Sequence, residues 1–402
     1  MGVAITLADI AKRGLLGGGS GSSGGGSGGG GSSGGGTTGV SPKEVNFYDY
    51  DGTCVYAYSV AEAQALSELP AGPEHPGLVF QGWNWSLEGV KGLTRAMNIG
   101  AMYTTDDGTT RLYITLQEGR TSPMLGVGVN GTVTVDWGDG TEPDVLTGTS
   151  KYTYIWTPQH AYAKAGNYVI RMTVEGEMTF VGTSATNTNA CILRHVSSAD
   201  VRNIAYQRAL NKVEIGNGVT DIHSYAFAQC ECLATVSIPM NTNVSADYVF
   251  QKCRALKSVT FPDGVTNVGN YACNGCSCLV MAAIPLGTTG IGTYAFNGCY
   301  AFRSATLPDS VTNILSSTFV DSGIILATIP GSVSNIYGST FQRVYGAVYY
   351  DFTSHTAVPA LSATTAFTGI PADCEIRVPA ALYDEWIAAT NWSTYADYIK
   401  AY

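Results

Sequence analysis

The chain is predicted to be mainly β: a small β-rich module, a β-sandwich, then a solenoid of short coils closed by a helical cap. Three observations predict this. Apolar marks recur every 23 residues from Lys212 to Thr340, and a fixed period in that range signals stacked repeats. The chain before them carries short alternating apolar runs bounded by turn residues. Charged residues make up only 13% of the 402, against 49 Gly and 24 Tyr, so the surface is predicted to be polar and nearly uncharged.

The repeat is the strongest signal. Phe227, Phe250, Cys273, Phe296 and Phe319 stand 23 apart, as do Cys230, Cys253, Cys276 and Cys299. Leu233, Leu256, Leu279 and Phe302 follow, then Pro239, Pro262, Pro285 and Pro308. Within one unit, Val259 and Phe261 alternate with Ser258 and Thr260, which predicts a short strand. Pro262 has no N–H to donate and ends it. Each coil buries its Leu, Val and Phe only against its neighbours, so stability is predicted to sum over coils and interfaces. The pattern Ile222-x-x-Tyr225-Ala226-Phe227-x-x-Cys230-x-x-Leu233-x-x-Val236-x-Ile238-Pro239, echoed at Ile291-x-x-Tyr294-Ala295-Phe296-x-x-Cys299, resembles the BspA-type leucine-rich repeats. That resemblance implies a leucine-rich-repeat solenoid of the kind found in microbial surface proteins. It is assigned to residues 190–372.

Taken in order, residues 1–16 hold apolar Val3, Ile5, Leu7, Ile10, Leu15 and Leu16 and lack the form of a secretory signal. They are expected to be an anchoring peptide. Residues 17–42 are a Gly/Ser linker. Its core, Gly17–Gly36, is a flexible coil of about 25 Å end to end.

Residues 43–104 are expected to form a β-rich module. Val45–Tyr48 and Val55–Tyr58 flank the turn signal Asp51-Gly52. Ser59-x-x-Glu62 is a capping box predicting a helix through Leu69. Val79–Trp83 follows as a strand, and a second short helix is expected over Ser86–Met97. The order Phe47, Asp51-Gly52, Pro73, Pro76, Phe80-x-Gly82-Trp83 looks like the internalin B-repeat family, which implies a β-grasp-like extracellular module.

Residues 105–182 open with a strand at Arg111–Leu116. Val133-x-Val135-Asp136-Trp137-Gly138-Asp139-Gly140-Thr141, then His160-Ala161-Tyr162 and Gly166-x-Tyr168-x-Ile170-x-Met172-x-Val174, resemble a PKD-type β-sandwich. In that family Asp139 and His-Ala-Tyr are structural marks. Gly126-x-Gly128-x-x-Gly131 fits a dinucleotide fingerprint on paper, but it leads into a strand, so no helix N-terminus is there to hold a pyrophosphate. Cys191–Leu193 is read as a strand covering the solenoid's first end. Residues 373–402 are the expected cap, a strand at Glu375–Pro379 followed by an amphipathic helix with Leu382, Trp386 and Ile387 on one stripe.

No chemistry stands out. The five histidines are scattered, and no metal motif, P-loop or nucleophile elbow occurs. Catalytic residues, metal and cofactors are all expected to be none. The ten cysteines read mainly as a buried ladder of small hydrophobes, with zinc or disulfide as the lesser alternative. Two ligand-binding surfaces are predicted. One is the column Tyr225, Tyr248, Tyr271 and Tyr294, again 23 apart, for which packing between coils is the competing reading. The other is the outward strand face, flat and uncharged, represented by Thr260 and Thr306.

Net charge is −10 with no Lys/Arg cluster, which argues against nucleic acid, and no run is long and apolar enough for membrane insertion. The modules resemble extracellular families throughout and look like a gut phage or bacterial surface or fibre protein. The function expected is therefore non-enzymatic adhesion by a bacteriophage virion fibre or tail-associated protein. Residues 1–16 would hold a virion structural protein, and the solenoid would reach a host cell-surface glycan or protein. The alternatives are a BspA-type adhesin at the bacterial cell surface and a carbohydrate-active enzyme. Homo-oligomer formation stands as an option that no heptad demands.

Overall fold

The computed structural model describes residues 40–180, 182, 191–194, 202–244 and 246–402. The expected anchoring peptide and nearly all of the Gly/Ser linker lie outside the described residues. Among those described, no helix is long and apolar enough to cross a membrane.

The solenoid has two columns of parallel strands. The first column runs from Leu210–Glu214 and Thr235–Ser237 through Ser258–Thr260, Met281–Ala283, Ser304–Thr306, Leu326–Thr328, Tyr349–Asp351 and Glu375–Val378 to Ile399–Ala401. The second is a line of two-residue strands, Asn267–Val268, Gly290–Ile291, Asn313–Ile314, Asn335–Ile336 and Ala360–Leu361. Ser258 pairs with Met281 one period on, whereas Ser304 pairs with Leu326 at 22 and Tyr349 with Glu375 at 26. Residues added or lost between strands fall in the turns, so drift in the repeat leaves the pairing of these rungs intact.

Between the columns lies a continuous apolar core in which Phe227, Phe250, Cys273, Phe296, Phe319, Phe341 and Phe367 form one file. Phe227 and Phe250 stack at 5.7 Å; Phe296, Phe319, Phe341 and Phe367 stack in a second run at 5.3–5.7 Å. Cys273 stands between the two runs. The C-terminal segment closes the last coil with Trp386, Trp392 and Tyr395, all buried. The helix there is shorter than predicted, Tyr383–Ala388 flanked by 3-10 turns, and a final strand not predicted, Ile399–Ala401, pairs with Glu375–Val378.

His355 is sealed in this cap against Phe352 and Trp386, with its ring nitrogens 3.1 Å from the Phe352 carbonyl and 3.2 Å from that of Val333. Burial holds its pKa below the ordinary value, with Arg95 acting the same way and the two carbonyls and Asp351 opposing. A depressed folded-state pKa contributes stability above the unfolded value, and that contribution is lost as pH falls through about 6.5 and below. The melting temperature is expected to drop between about pH 7.5 and 5, and less so in His355→Gln. Equal slopes for the two proteins would count against this reading.

Ahead of the solenoid, β1 (Val45–Tyr48), β2 (Cys54–Tyr58), β3 (Leu78–Trp83) and β4 (Met97–Thr105) form a sheet in the order β2-β1-β4-β3, with β1 and β4 parallel. The predicted capping box is present at Ser59 and Glu62, but its helix spans only Val60–Gln64. The second helix is Leu87–Lys91; of the rest of its predicted span, Gly92 to Ala96 is turn and irregular backbone and Met97 opens β4. β4 was not legible because all nine of its residues are buried, so the period-2 signal that marks a half-buried strand is missing.

β5 (Thr110–Leu116), β6 (Met124–Asp136), β7 (Asp144–Trp156) and β8 (Gly166–Phe180) pair antiparallel in the order β5-β8-β6-β7. Their sheet does not end there. Short β9 (Leu193–Arg194) lies on β6, while β5 pairs with β10 (Leu210–Glu214) and β8 with β11 (Val219–Ile222). β10 in turn pairs with β12 (Thr235–Ser237). The strands expected as a separate sandwich therefore share one hydrogen-bonded sheet with the first coils. This meets a physical need, since a first coil left bare would present unpaired N–H and C=O groups along both columns.

Candidate functional site

The outward strand face is not free. Thr260 is only 7% exposed and Thr306 5%. Ser237, Ser258, Met281 and Ala283 are buried with them, and Thr235 and Ser304 are half-buried. The cover is the first module. Asn84 Nδ2 donates to the carbonyls of Phe261 (3.2 Å) and Ala283 (3.1 Å), and its Oδ1 accepts from Gly100 N at 2.8 Å. Trp85 Nε1 donates to Ile284 O at 2.9 Å, Ser258 Oγ to Tyr50 O at 2.6 Å, and Asn98 N to Thr306 Oγ1 at 3.3 Å. Arg95 pairs with Asp309.

The small side chains read from sequence as an accessible surface serve instead to let a backbone approach. A Cβ at Gly100 would lie 2.1 Å from Thr260 Oγ1 and 2.8 Å from Ala283 Cβ. The expectation that Thr260 and Thr306 face a ligand is corrected accordingly: β4 lies over them.

The tyrosine column does assemble. Tyr225, Tyr248, Tyr271 and Tyr294 all adopt left-handed backbone angles, φ 62°, 61°, 55° and 57°. Such angles cost a non-glycine residue about 1–2 kcal/mol. Contacts between coils hold them there, among them Tyr248 N to Asn270 O and Tyr271 N to Thr293 O, both 2.9 Å. The rings stack face to face at 4.6, 4.7 and 4.9 Å, with interplanar angles of 10°, 7° and 19°.

Interior ring faces are thus used on one another, and a sugar cannot lie flat on them. What remains outward is a half-buried strip of ring edges and phenol hydroxyls along the rod. Partial burial pushes the phenols of Tyr225, Tyr248 and Tyr271 up, so they are neutral O–H donors and acceptors at neutral pH. The packing reading describes the ring faces, and the ring edges and hydroxyls are left on the outward side.

Sequence reasoning missed a cleft of about 700 Å³ in the first module, between the loop Leu69–His75 and the strand residues Phe80 and Trp83. Its wall is fastened by Trp83 Nε1 donating to Pro70 O (2.8 Å) and Tyr103 O–H to Pro73 O (3.2 Å). Gly72 lies on the ring of Phe80, where a Cβ would come within 2.3 Å. His75 Nε2 is 2.7 Å from Asp49 Oδ2, and burial raises the Asp49 carboxyl against the pull of His75. The rings of Tyr50 and Tyr103 stand edge-on around the imidazole at 5.0 and 5.2 Å. The pair is packed by aromatic rings, and the hydroxyl that reaches the Asp49 carboxylate is the buried phenol of Tyr103. The sequence signal was the run Pro70, Pro73, Pro76 ahead of Phe80, legible as a loop but not as a wall.

His160 and Asp139 lie in a packed cluster. The imidazole stacks on Trp137 at 4.6 Å and meets Asp139 Oδ2 at 2.9 Å, while Tyr162 O–H donates to Trp137 O at 2.9 Å. Burial works against the Asp139 carboxylate, but hydrogen bonds from Thr141 and His160 hold it below its usual range. Among the described residues no group of three or more His, Cys, Asp or Glu side chains is placed to hold a metal ion.

Residues 201–323 and 278–356 match the family described as BspA type leucine rich repeat region, in six copies. No curated protein matches the chain. Among solved structures it is similar to a leucine-rich repeat protein of T. pallidum, at 20% identity and TM-score 0.37 over 48% of this chain and 88% of that one. A leucine-rich repeat protein of Bacteroides ovatus is similar at 17% identity and TM-score 0.31 over 50% of this chain, which spans 62% of that protein. A leucine rich cell surface protein of Faecalibacterium prausnitzii is similar at 19% identity and TM-score 0.23, over 51% of this chain and 85% of that one.

Proposed function

We propose that this chain is a non-enzymatic adhesion protein of a bacteriophage virion, a fibre or tail-associated protein, that binds the host surface through the outward edge of its tyrosine ladder. One observation carries the reading. Four phenol hydroxyls are repeated at one coil's spacing on a rigid stack, with ring separations of 4.6–4.9 Å. A row of identical donors and acceptors suits a ligand that is itself repetitive and hydroxyl-rich, and a cell-surface glycan is one. Each contact is weak alone, and a row of them gives avidity. The virion location is supported by sequence: an apolar segment, Met1–Leu16, is followed by the Gly/Ser stretch Gly17–Gly36 and would serve as the attachment point.

A second reading, a bacterial surface adhesin, is equally compatible with the match of the repeats to the BspA-type region. Two measurements on the full chain test the proposal. Fluorescently labelled protein is expected to bind whole host cells saturably, and to lose binding once surface polysaccharide is stripped, without releasing sugar itself. Immunogold labelling is expected on purified phage particles. Gold on the bacterial envelope instead would transfer the reading to the second alternative. Sugar release without retained binding would overturn adhesion altogether.

A further inference from the structure

The first rung of the cysteine ladder is built unlike the others. The thiols of Cys253, Cys276 and Cys299 donate to the carbonyl oxygens of Phe227, Phe250 and Cys273, at 3.1, 3.0 and 3.2 Å. Each acceptor lies 26 residues earlier, in the preceding coil. For Cys230 that position falls in the helix Arg202–Ala209, where there is no coil to offer a carbonyl. The place is taken by Cys191, whose Sγ stands 3.0 Å from Cys230 Sγ.

Both side chains are fully buried. Two sulfurs that are not bonded rest farther apart than this, and the backbone around them is held from two sides. Cys191 bridges antiparallel to Phe227, and Ile192 N donates to Ala226 O at 3.1 Å. Leu193 and Arg194 then pair with β6. The pairing with the coil brings the two thiols side by side, and closing to a disulfide of about 2.0 Å takes a side-chain rotation rather than a rebuilt chain.

We infer that Cys191 and Cys230 form a disulfide that staples the segment between the long sheet and the solenoid onto the first coil. Two S–H bonds break and one S–S bond forms. The two electrons and two protons pass to a disulfide oxidant of the glutathione class, whose own S–S bond is reduced to two thiols. The step occurs during folding, because burial afterwards keeps the Cys230 thiol protonated and out of reach. The closed loop spans 39 residues and includes the helix Arg202–Ala209 and the start of the solenoid. The bond constrains the unfolded chain at the joint where the two sheet columns pass into the first coil. It also ties the protein to an oxidising setting, as a surface location provides.

The test is a count of free thiols in the full chain. The protein is refolded in a glutathione redox buffer, unfolded again without reductant, alkylated and weighed intact. Of the ten cysteines, two in the bond leave eight labelled. Cys191→Ser frees its partner and is expected to give nine, and Cys253→Ser seven. Peptide mapping is expected to join the peptide holding Cys191 to that holding Cys230, and reduction to lower the melting temperature by several degrees. Ten labels on the wild type would overturn the inference. So would seven labels on Cys191→Ser, or a cross-linked pair at other positions.

Discussion

Phe250→Ala is expected to destabilise the solenoid by about 3–5 kcal/mol, the range for truncating a fully buried aromatic side chain. Phe250 is wholly buried and stacks on Phe227 at 5.7 Å, interplanar angle 7°. Its other neighbour in the file is Cys273, a small side chain, so the coil beyond has no ring to move into the space. In a stacked array each coil's stability depends on its neighbours, so one weakened interface divides the rod. A urea melt is expected to shift to a lower midpoint and to broaden toward two transitions, one for the coils on each side. The same substitution with an unmoved midpoint would mean that the core file does not carry the fold.

Gly100→Val is expected to lift the first module off the solenoid. The strand holding Gly100 has no free face: all nine residues of β4 are buried. A Cβ there would meet Thr260 Oγ1 at 2.1 Å, closer than any real contact. Overpacking of this kind costs about 1–3 kcal/mol when a core yields locally. Here the neighbour is a ladder strand that cannot yield without losing its own hydrogen bonds, so separation of the two bodies is the cheaper response. Hydrogen exchange at Phe261 and Ala283–Ile284 is expected to rise. Asn84 and Trp85 would lose their solenoid carbonyls at the same time. Protection equal to wild type would show that the module is not held by this contact.

The two cases explain what the sequence could and could not reveal. The file of Phe227, Phe250 and Phe296 was legible because each ring answers to its own coil and the coils are copies; a period in space becomes a period in sequence. The tyrosine column was legible for the same reason, down to the position of every ring. The covering of Thr260 and Thr306 was not, because a strand face of Ser, Thr and Ala reads alike whether it meets water or a closely approaching backbone. Gly100 carries the missing information, but a single glycine does not say what it approaches.

β4 carried no strand signal because burial on both faces erased its alternation. The continuity of β5 with β10, and of β8 with β11, joins segments about a hundred and about forty residues apart along the chain, and no local pattern records such pairing. The close pair Cys191 and Cys230 was likewise out of reach: Cys230 stood in the periodic ladder, while Cys191 stood outside it.

The most direct test of the account is the affinity of the double variant Tyr248→Phe/Tyr271→Phe for host cells, measured beside the wild type. The exchange keeps both rings in the stack and removes two hydroxyls from its outer edge, so the melting temperature should stay within a degree or two. Loss of two hydrogen bonds of about 1 kcal/mol each predicts binding weaker by roughly tenfold or more. Unchanged affinity at unchanged stability would contradict the assignment of the tyrosine edge as the surface that holds the ligand.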